Sequence, residues 1–295
     1  MHFPPQASGG MRSSREKCRV GRSAGRVRSL PRAGVKRPDR SPAIVETLRR
    51  ADPDILCLQE AWAAEGSTIA DELGFKHHLW APSPRSERWQ RRLGENSIEI
   101  GELILSRWPI TASAITELPE HAEDAGCIAA LAQISTPEGA VIAVTTHLAS
   151  PAHLSALRGA QVEAIWHFLA EQDDLERNCL FLTGDFNAEP DSDEIRKLCG
   201  HKTAPVVGSR ILLDAWLWAA PELGAGNTWS RKNGHIAVTG SPSARIDYLL
   251  VEATTGIRVT EVARLGDQPI EGIWPSDHFG VQMNMTVPRT EPPSG

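Results

Sequence analysis

The segment Leu180-Phe181-Leu182-Thr183-Gly184-Asp185-Phe186-Asn187-Ala188-Glu189-Pro190 carries the reading of the whole chain. Its apolar start predicts a short buried strand, Gly184 ends that strand, and a turn leads to a helix near 191–199. Asp185 and Asn187 stand at i and i+2, a spacing at which extended backbone turns both side chains the same way. An ionised Asp accepts a proton or holds a metal, and an Asn amide offers both donor and acceptor, so the pair suits a phosphate oxygen and its attacking water. A calcium loop counted from Asp185 fails, because Pro190 stands where Gly is required and Arg196 where a bidentate Glu is required.

Outward from this unit, strands and helices alternate. Ser41-Pro42 opens a helix to about Arg50, with Ile44, Val45 and Leu48 on one face. Ile55–Leu58, Leu103–Leu105, Ile246–Val251 and Val281–Val287 read as strands, and Ile128–Ile134 pairs with Val141–Thr146 across Thr136-Pro137-Glu138-Gly139 as a hairpin. From 152 to about 171 apolar residues recur at helical spacing. Hairpins mixed with strand–helix units predict sheets of mixed direction with helices packed outside. One catalytic domain is expected over 41–288, between an irregular Arg-rich segment at 1–40 and a disordered tail at 289–295.

Composition narrows the function classes. With 295 residues, 41% of them hydrophobic, the chain can build a core without disulfides or a structural metal. No apolar run approaches the roughly 20 residues of a membrane-spanning helix, so membrane insertion is not expected. Cys18, Cys57, Cys127, Cys179 and Cys199 are odd in number and form no C-x-x-C pair; they read as reduced core thiols, which makes the cytoplasm the expected compartment. The net charge of −6 hides an asymmetry: residues 1–40 hold 11 Lys and Arg against Glu16 and Asp39, leaving 20 basic and 35 acidic residues beyond. An acidic body disfavours long-tract nucleic-acid binding and accommodates a divalent cation.

Four further groups of polar residues follow or precede apolar strands. Glu60 comes just after Ile55–Leu58, His147 follows Val141–Thr146, Asp247 opens the strand after Arg245, and Asp277-His278 precede the last strand. Each alone is compatible with a structural role. Together they supply a hard cation's oxygen ligands and an acid/base pair.

The stretches Asp54–Glu60, Leu105–Ile110 (with Arg107), Thr146–Leu148, Gly184–Asn187, Arg245–Tyr248 and Ser276–His278 resemble, in order, the motifs of the endonuclease/exonuclease/phosphatase superfamily, the deoxyribonuclease-I-like metal-dependent phosphoesterases. The resemblance spans about 42–287 and implies a four-layer α/β/β/α sandwich with two mixed β-sheets. It implies that Glu60 holds Mg²⁺ or Mn²⁺, a Lewis acid at a phosphate oxygen. It further implies that Asp185 orients or deprotonates the attacking water, Asn187 and Arg107 bind phosphate, His278 assists proton transfer with Asp247 or Asp277 orienting it, and His147 contacts the phosphoryl group. The expected substrate is a phosphodiester or phosphomonoester in a nucleic acid, nucleotide, inositol phosphate or phospholipid headgroup, and a monomer is the default.

Three departures qualify the resemblance. The family opens with a strand ending in an Asn at the metal site, yet no Asn precedes Ser41, so residues 1–40 are expected not to supply that strand; Val27–Leu30 is a poor substitute. The apurinic-endonuclease tyrosine has no counterpart, since Tyr248 is the only Tyr. Glu102 stands where many relatives carry a small amide and is a candidate to orient His147. The missing Asn supports an alternative, a weakened member that binds phosphorylated ligands. A third reading is a nucleic-acid-binding protein led by the basic segment. Nine Trp, most in loops, and the basic stretch 81–95 with Arg85, Arg88, Trp89, Arg91 and Arg92 are possible substrate contacts.

Overall fold

The computed structural model describes residues 18–24 (backbone), 40–86, 90, 99–172, 179–200, 202–208, 210–219 and 221–288. Twelve strands lie among them: β1 (Cys18–Ala24), β2 (Ile55–Trp62), β3 (His77–Pro82), β4 (Ile100–Ser106), β5 (Ile110–Glu117), β6 (Ile128–Thr136), β7 (Gly139–His147), β8 (Cys179–Asp185), β9 (Leu212–Asp214), β10 (Asp247–Glu252), β11 (Arg258–Leu265) and β12 (Gly280–Thr286). The α-helices are α1 (Ser41–Ala51), α2 (Ala63–Leu73), α3 (Ser155–Ala170), α4 (Asp193–Cys199), α5 (Ala215–Ala219) and α6 (Gly234–Ala237).

The strands form two six-stranded sheets, ordered β11-β12-β1-β2-β4-β3 and β5-β6-β7-β8-β10-β9. Both are mixed, because β1/β2 and β7/β8 run parallel while the remaining pairs are antiparallel. Alternation along each strand explains the layering. Ile55 and Cys57 of β2 and Cys179 and Phe181 of β8 meet between the sheets. Leu56 and Leu58 face Val45, Leu48 and Ile69 of α1 and α2, while Leu180 and Leu182 face Val162, Ile165 and Leu198 of α3 and α4. Strands covered on both faces read as continuous apolar runs. The result is the four-layer α/β/β/α sandwich. Cys57, Cys179 and Cys199 are buried thiols; burial pushes the Cys179 thiol up to about 11 and Cys199 to about 12. Among the described residues no helix is long and apolar enough to cross a membrane.

The expectation that residues 1–40 supply no strand is corrected. Residues 18–24 lie between β12 and β2 in the middle of the first sheet, antiparallel to one and parallel to the other. Main-chain hydrogen bonding explains this: the gap between β12 and β2 presents two rows of donors and acceptors, which any extended segment satisfies regardless of side chain. Val27–Leu30 and the 289–295 tail fall outside the described residues.

Candidate active site

Three adjacent strands of the second sheet bring functional groups to one level. In the parallel pair β7/β8 His147 is opposite Asp185, and in the antiparallel pair β8/β10 Asp247 is opposite the same Asp185. The approach is close. A Cβ on Gly184 would lie 2.5 Å from the Thr146 carbonyl oxygen, so glycine is what lets β8 reach that register beside β7.

The first sheet supplies the opposite wall. Glu60 lies in β2 where its pairing with β4 slips between Leu58 and Ala61, and it adopts a left-handed backbone at φ 52°. Such a conformation costs a non-glycine residue about 1–3 kcal/mol and is characteristic of bulges that re-aim a side chain. Here it directs the Glu60 carboxylate to 3.6 Å from His147 Nδ1, while His147 Nε2 lies 3.6 Å from Asp185 Oδ2. His278 enters just before β12. Its Nδ1 lies 2.9 Å from Asp247 Oδ2 and 3.7 Å from Asp185 Oδ2, which makes Asp247 rather than Asp277 the partner on that nitrogen.

Burial alone pushes the His278 imidazole pKa down. The charges of Asp247 and Asp185, the Asp247 hydrogen bond and the Asp277 charge outweigh this and hold it at about 9. His278 is therefore an imidazolium at neutral pH, and its buried Nε2 has no hydrogen-bond partner among the described residues. Because the folded value lies above the ordinary 6.5, the charge stabilises the fold fully below pH 6.5, and that contribution is lost as pH rises to about 9. The expected size is on the order of 3 kcal/mol. Urea unfolding in EDTA should show the stability difference between wild type and His278→Gln shrinking across that window; a pH-independent difference would contradict it.

Asn187 departs from the extended geometry predicted for it. The strand ends at Asp185, and Asn187 turns into left-handed backbone at φ 48°, where its N–H donates to Asp185 Oδ1 at 3.0 Å. Asn tolerates this conformation better than other non-glycine residues. Its Nδ2 donates to the Leu148 carbonyl at 2.9 Å, tying the two loops together. Arg107 is a correction. It pairs with Asp52 and Asp54 and sits beside Ser106, opposite Ile55, five residues along β2 from Glu60. At about 3.3 Å per residue that is roughly 16 Å from the site, and the two carboxylates hold the guanidinium there. Asp277 is buried beside His278.

Further residues support the site. Gln59 Nε2 donates to Thr145 Oγ1 at 2.5 Å and Thr145 Oγ1 to Glu102 Oε2 at 3.2 Å, a buried relay joining the sheets behind the site. Glu102 thus reaches β7 two residues before His147. Thr228 Oγ1 accepts from the Ile246 and Asp247 N–H groups, and its carbonyl accepts from Phe279 N–H, so one residue braces both partners of the Asp247–His278 pair. Trp229 stands edge-on to the His278 ring at 5.0 Å between centroids. In the Arg245-Ile246-Asp247-Tyr248 stretch the flanking residues are structural: Arg245 pairs with Asp214 at 2.6 Å, and the Tyr248 hydroxyl lies 2.8 Å from the Ala188 carbonyl. In the 81–95 stretch Arg85 pairs with Glu120, while Arg88, Trp89, Arg91 and Arg92 lie outside the described residues.

The sequence pattern of the Endonuclease/Exonuclease/phosphatase family matches residues 24–278. The chain belongs to this family. It is accordingly a phosphoester hydrolase of deoxyribonuclease-I-like fold. Among solved structures it is similar to D. rerio TDP2 complexed with a single-strand DNA product (17% identity, TM-score 0.69, covering 92% of this chain and 99% of that one). The human Nocturnin catalytic domain with bound sulfate shares 19% identity at TM-score 0.69, covering 92% and 94%. An endonuclease/exonuclease/phosphatase from Beutenbergia cavernae shares 20% at TM-score 0.68, covering 93% and 72%. No curated protein matches the sequence.

The donor set fits a hard divalent cation. Glu60, Glu102, Asp185, Asp247 and Asp277 are all under a tenth exposed, so the site is rich in carboxyl groups and in oxygen ligands of the kind Mg²⁺ and Mn²⁺ take. A cavity of about 50 Å³ lined by Glu60, Glu102, Asp124 and His147 opens beside them. Asp185, Asp247 and His278 also offer ligand atoms within 4.8 Å of one another. That trio already shares the His278 proton, so a cation there would have to displace it.

Proposed function

We propose that this family member is a Mg²⁺- or Mn²⁺-dependent phosphoesterase that cleaves a phosphodiester or phosphomonoester by direct water attack. The observation that carries this reading is the convergence of Glu60, His147, Asp185, Asp247 and His278, from both sheets and separated by more than 200 positions, on one cleft. Glu60 is the residue that would hold the cation. When bound, it supplies Lewis-acid charge to a phosphate oxygen.

The remaining chemistry falls to the chain's own groups. Asp185 has an imidazole on either side and a backbone N–H from Asn187 on Oδ1, an arrangement that aims its other oxygen to take the proton of the attacking water. His278 gives its Nδ1 proton to the Asp247 bond and keeps an Nε2–H to donate to the phosphoryl group as negative charge builds. His147, between Glu60 and Asp185, donates from the other side, and the half-buried Asn187 amide borders the phosphate position. The DNA product held by the D. rerio protein and the sulfate held by Nocturnin support a phosphoester as substrate.

One observation favours a second reading. The last residue of β1 is Ala24, opposite Gln59 and so one position from Glu60. The sequence has no Asn or Gln between Gln6 and Gln59, which favours a weakened member that binds phosphorylated ligands. Turnover separates the two. Bis-p-nitrophenyl phosphate and p-nitrophenyl phosphate, each assayed with Mg²⁺ and with Mn²⁺, are expected to show hydrolysis that EDTA abolishes. Binding of inorganic phosphate without turnover of either ester would establish the second reading instead.

A further inference from the structure

We infer that Arg158 is a positioning residue for the reaction, a buried strap that locks the loop after His147 to the helix after Asn187. The inference rests on the phosphoesterase reading. Arg158 lies on α3, outside every motif, and is only 4% exposed. Its Nε donates to Glu194 Oε1 at 2.9 Å. Its Nη1 donates to the carbonyls of Ala149 at 3.2 Å and Pro151 at 2.8 Å, and its Nη2 to Ala152 at 3.1 Å. One guanidinium thus serves three carbonyls of one loop and a carboxylate that is itself 3% exposed.

The two segments it joins are those that carry the reacting groups. Residues 148–154 follow His147 directly, and Glu194 sits in the first turn of α4, which the Asp185–Pro190 turn feeds. Around Arg158 the same junction is stitched by Leu148 N–H to the Asp185 carbonyl, Asn187 Nδ2 to the Leu148 carbonyl, and Ala149 N–H to Gln161 Oε1. Gln161, one helical turn beyond Arg158, also donates to the Pro119 carbonyl. A loop of this kind has no ladder partner of its own, so its carbonyls need a fixed donor. A planar five-donor fork meets four acceptors at once, whereas a lysine ammonium cannot match that spread. Loss of the strap unfastens the 149–152 loop from α4 and leaves the Leu148 bonds alone to hold the His147 loop against the Asn187 turn, and displacements of about 1 Å at a reacting centre cost up to about 10²-fold in rate.

The test compares Arg158→Met, Arg158→Lys and Glu194→Gln with wild type, using bis-p-nitrophenyl phosphate and Mn²⁺ well below the unfolding temperature. Arg158→Met is expected to lower kcat at least about tenfold with KM changed less than about twofold. Arg158→Lys should recover part of that loss, and Glu194→Gln, which leaves the carbonyl bonds intact, should lose less than Arg158→Met. The imidazole ¹H–¹⁵N signals of His147 and His278 give a readout that needs no turnover. The His147 signal is expected to shift or broaden in Arg158→Met, and in Arg158→Lys should Met prevent folding, while His278 stays fixed. Normal kcat with an unmoved His147 signal, even at a lowered unfolding temperature, would reduce Arg158 to a structural ion pair and overturn the inference. An inactive wild type would instead refute the phosphoesterase reading, and the His147 signal would then decide the strap alone.

Discussion

Asp185→Asn is expected to lower kcat/KM for phosphoester hydrolysis by at least about 10²-fold, within the range of a positioned general base. The substitution is nearly isosteric, so the amide oxygen can still accept from Asn187 N–H, where Asp185 Oδ1 accepts at 3.0 Å, and the turn should persist. What disappears is the basic oxygen and a negative charge that faces two imidazoles, 3.6 Å from His147 and 3.7 Å from His278. Asp185 is also one of the charges holding the His278 proton, so the variant should lower the pKa of that imidazole as well as remove the base. Kinetics over a pH series measure both effects. Activity within about tenfold of wild type would remove Asp185 from the reaction.

Glu60→Gln is expected to have an effect of similar size, but of a different kind. The variant should need at least about tenfold more Mg²⁺ or Mn²⁺ for half-maximal activity, because a neutral amide is a poorer ligand for a hard cation than a carboxylate. Excess metal should restore part of the lost rate, whereas it should not rescue Asp185→Asn. The backbone at Glu60 is already left-handed at the β2 bulge, and Gln carries the same Cβ, so the strain there is unchanged. Metal titrations that superimpose for wild type and Glu60→Gln would exclude Glu60 as the cation's holder.

Much of this architecture was legible because covered strands advertise themselves. Ile55–Leu58, Leu103–Leu105 and Leu180–Leu182 are apolar on both faces, and the structure buries both. The Ile128–Thr146 hairpin and the long helix of 155–170 follow the predicted boundaries closely. The edge strands were not legible. Arg258–Leu265 alternates Arg, Thr and Glu with apolar residues, Ile110–Glu117 is mostly exposed Thr, Ser and Ala, and both terminate sheets where polar residues guard against further pairing. The strand Cys18–Ala24 was hidden for another reason: its Gly, Arg and Ser content has no strand pattern, and only its neighbours' unpaired backbone places it.

At the site, residues at strand ends were visible as polar groups beside apolar runs, and the structure gathers Glu60, His147, Asp185, Asn187, Asp247 and His278. Arg107 was misplaced because its motif lies at the opposite end of β4 from the cleft, a distinction that pairing register makes and linear order does not. Thr228, Trp229 and Thr145 act through backbone groups, a ring contact or across the inter-sheet gap, so no spacing in the sequence reports them.

The most direct measurement is the anomalous scattering of Mn²⁺ in crystals of the wild-type protein grown with the cation and inorganic phosphate. One Mn²⁺ ligated by the Glu60 carboxylate, with phosphate between it and the His278 and His147 rings, is the result expected. A single Mn²⁺ seated instead on Asp185, Asp247 and His278, with Glu60 left without metal, would contradict the account.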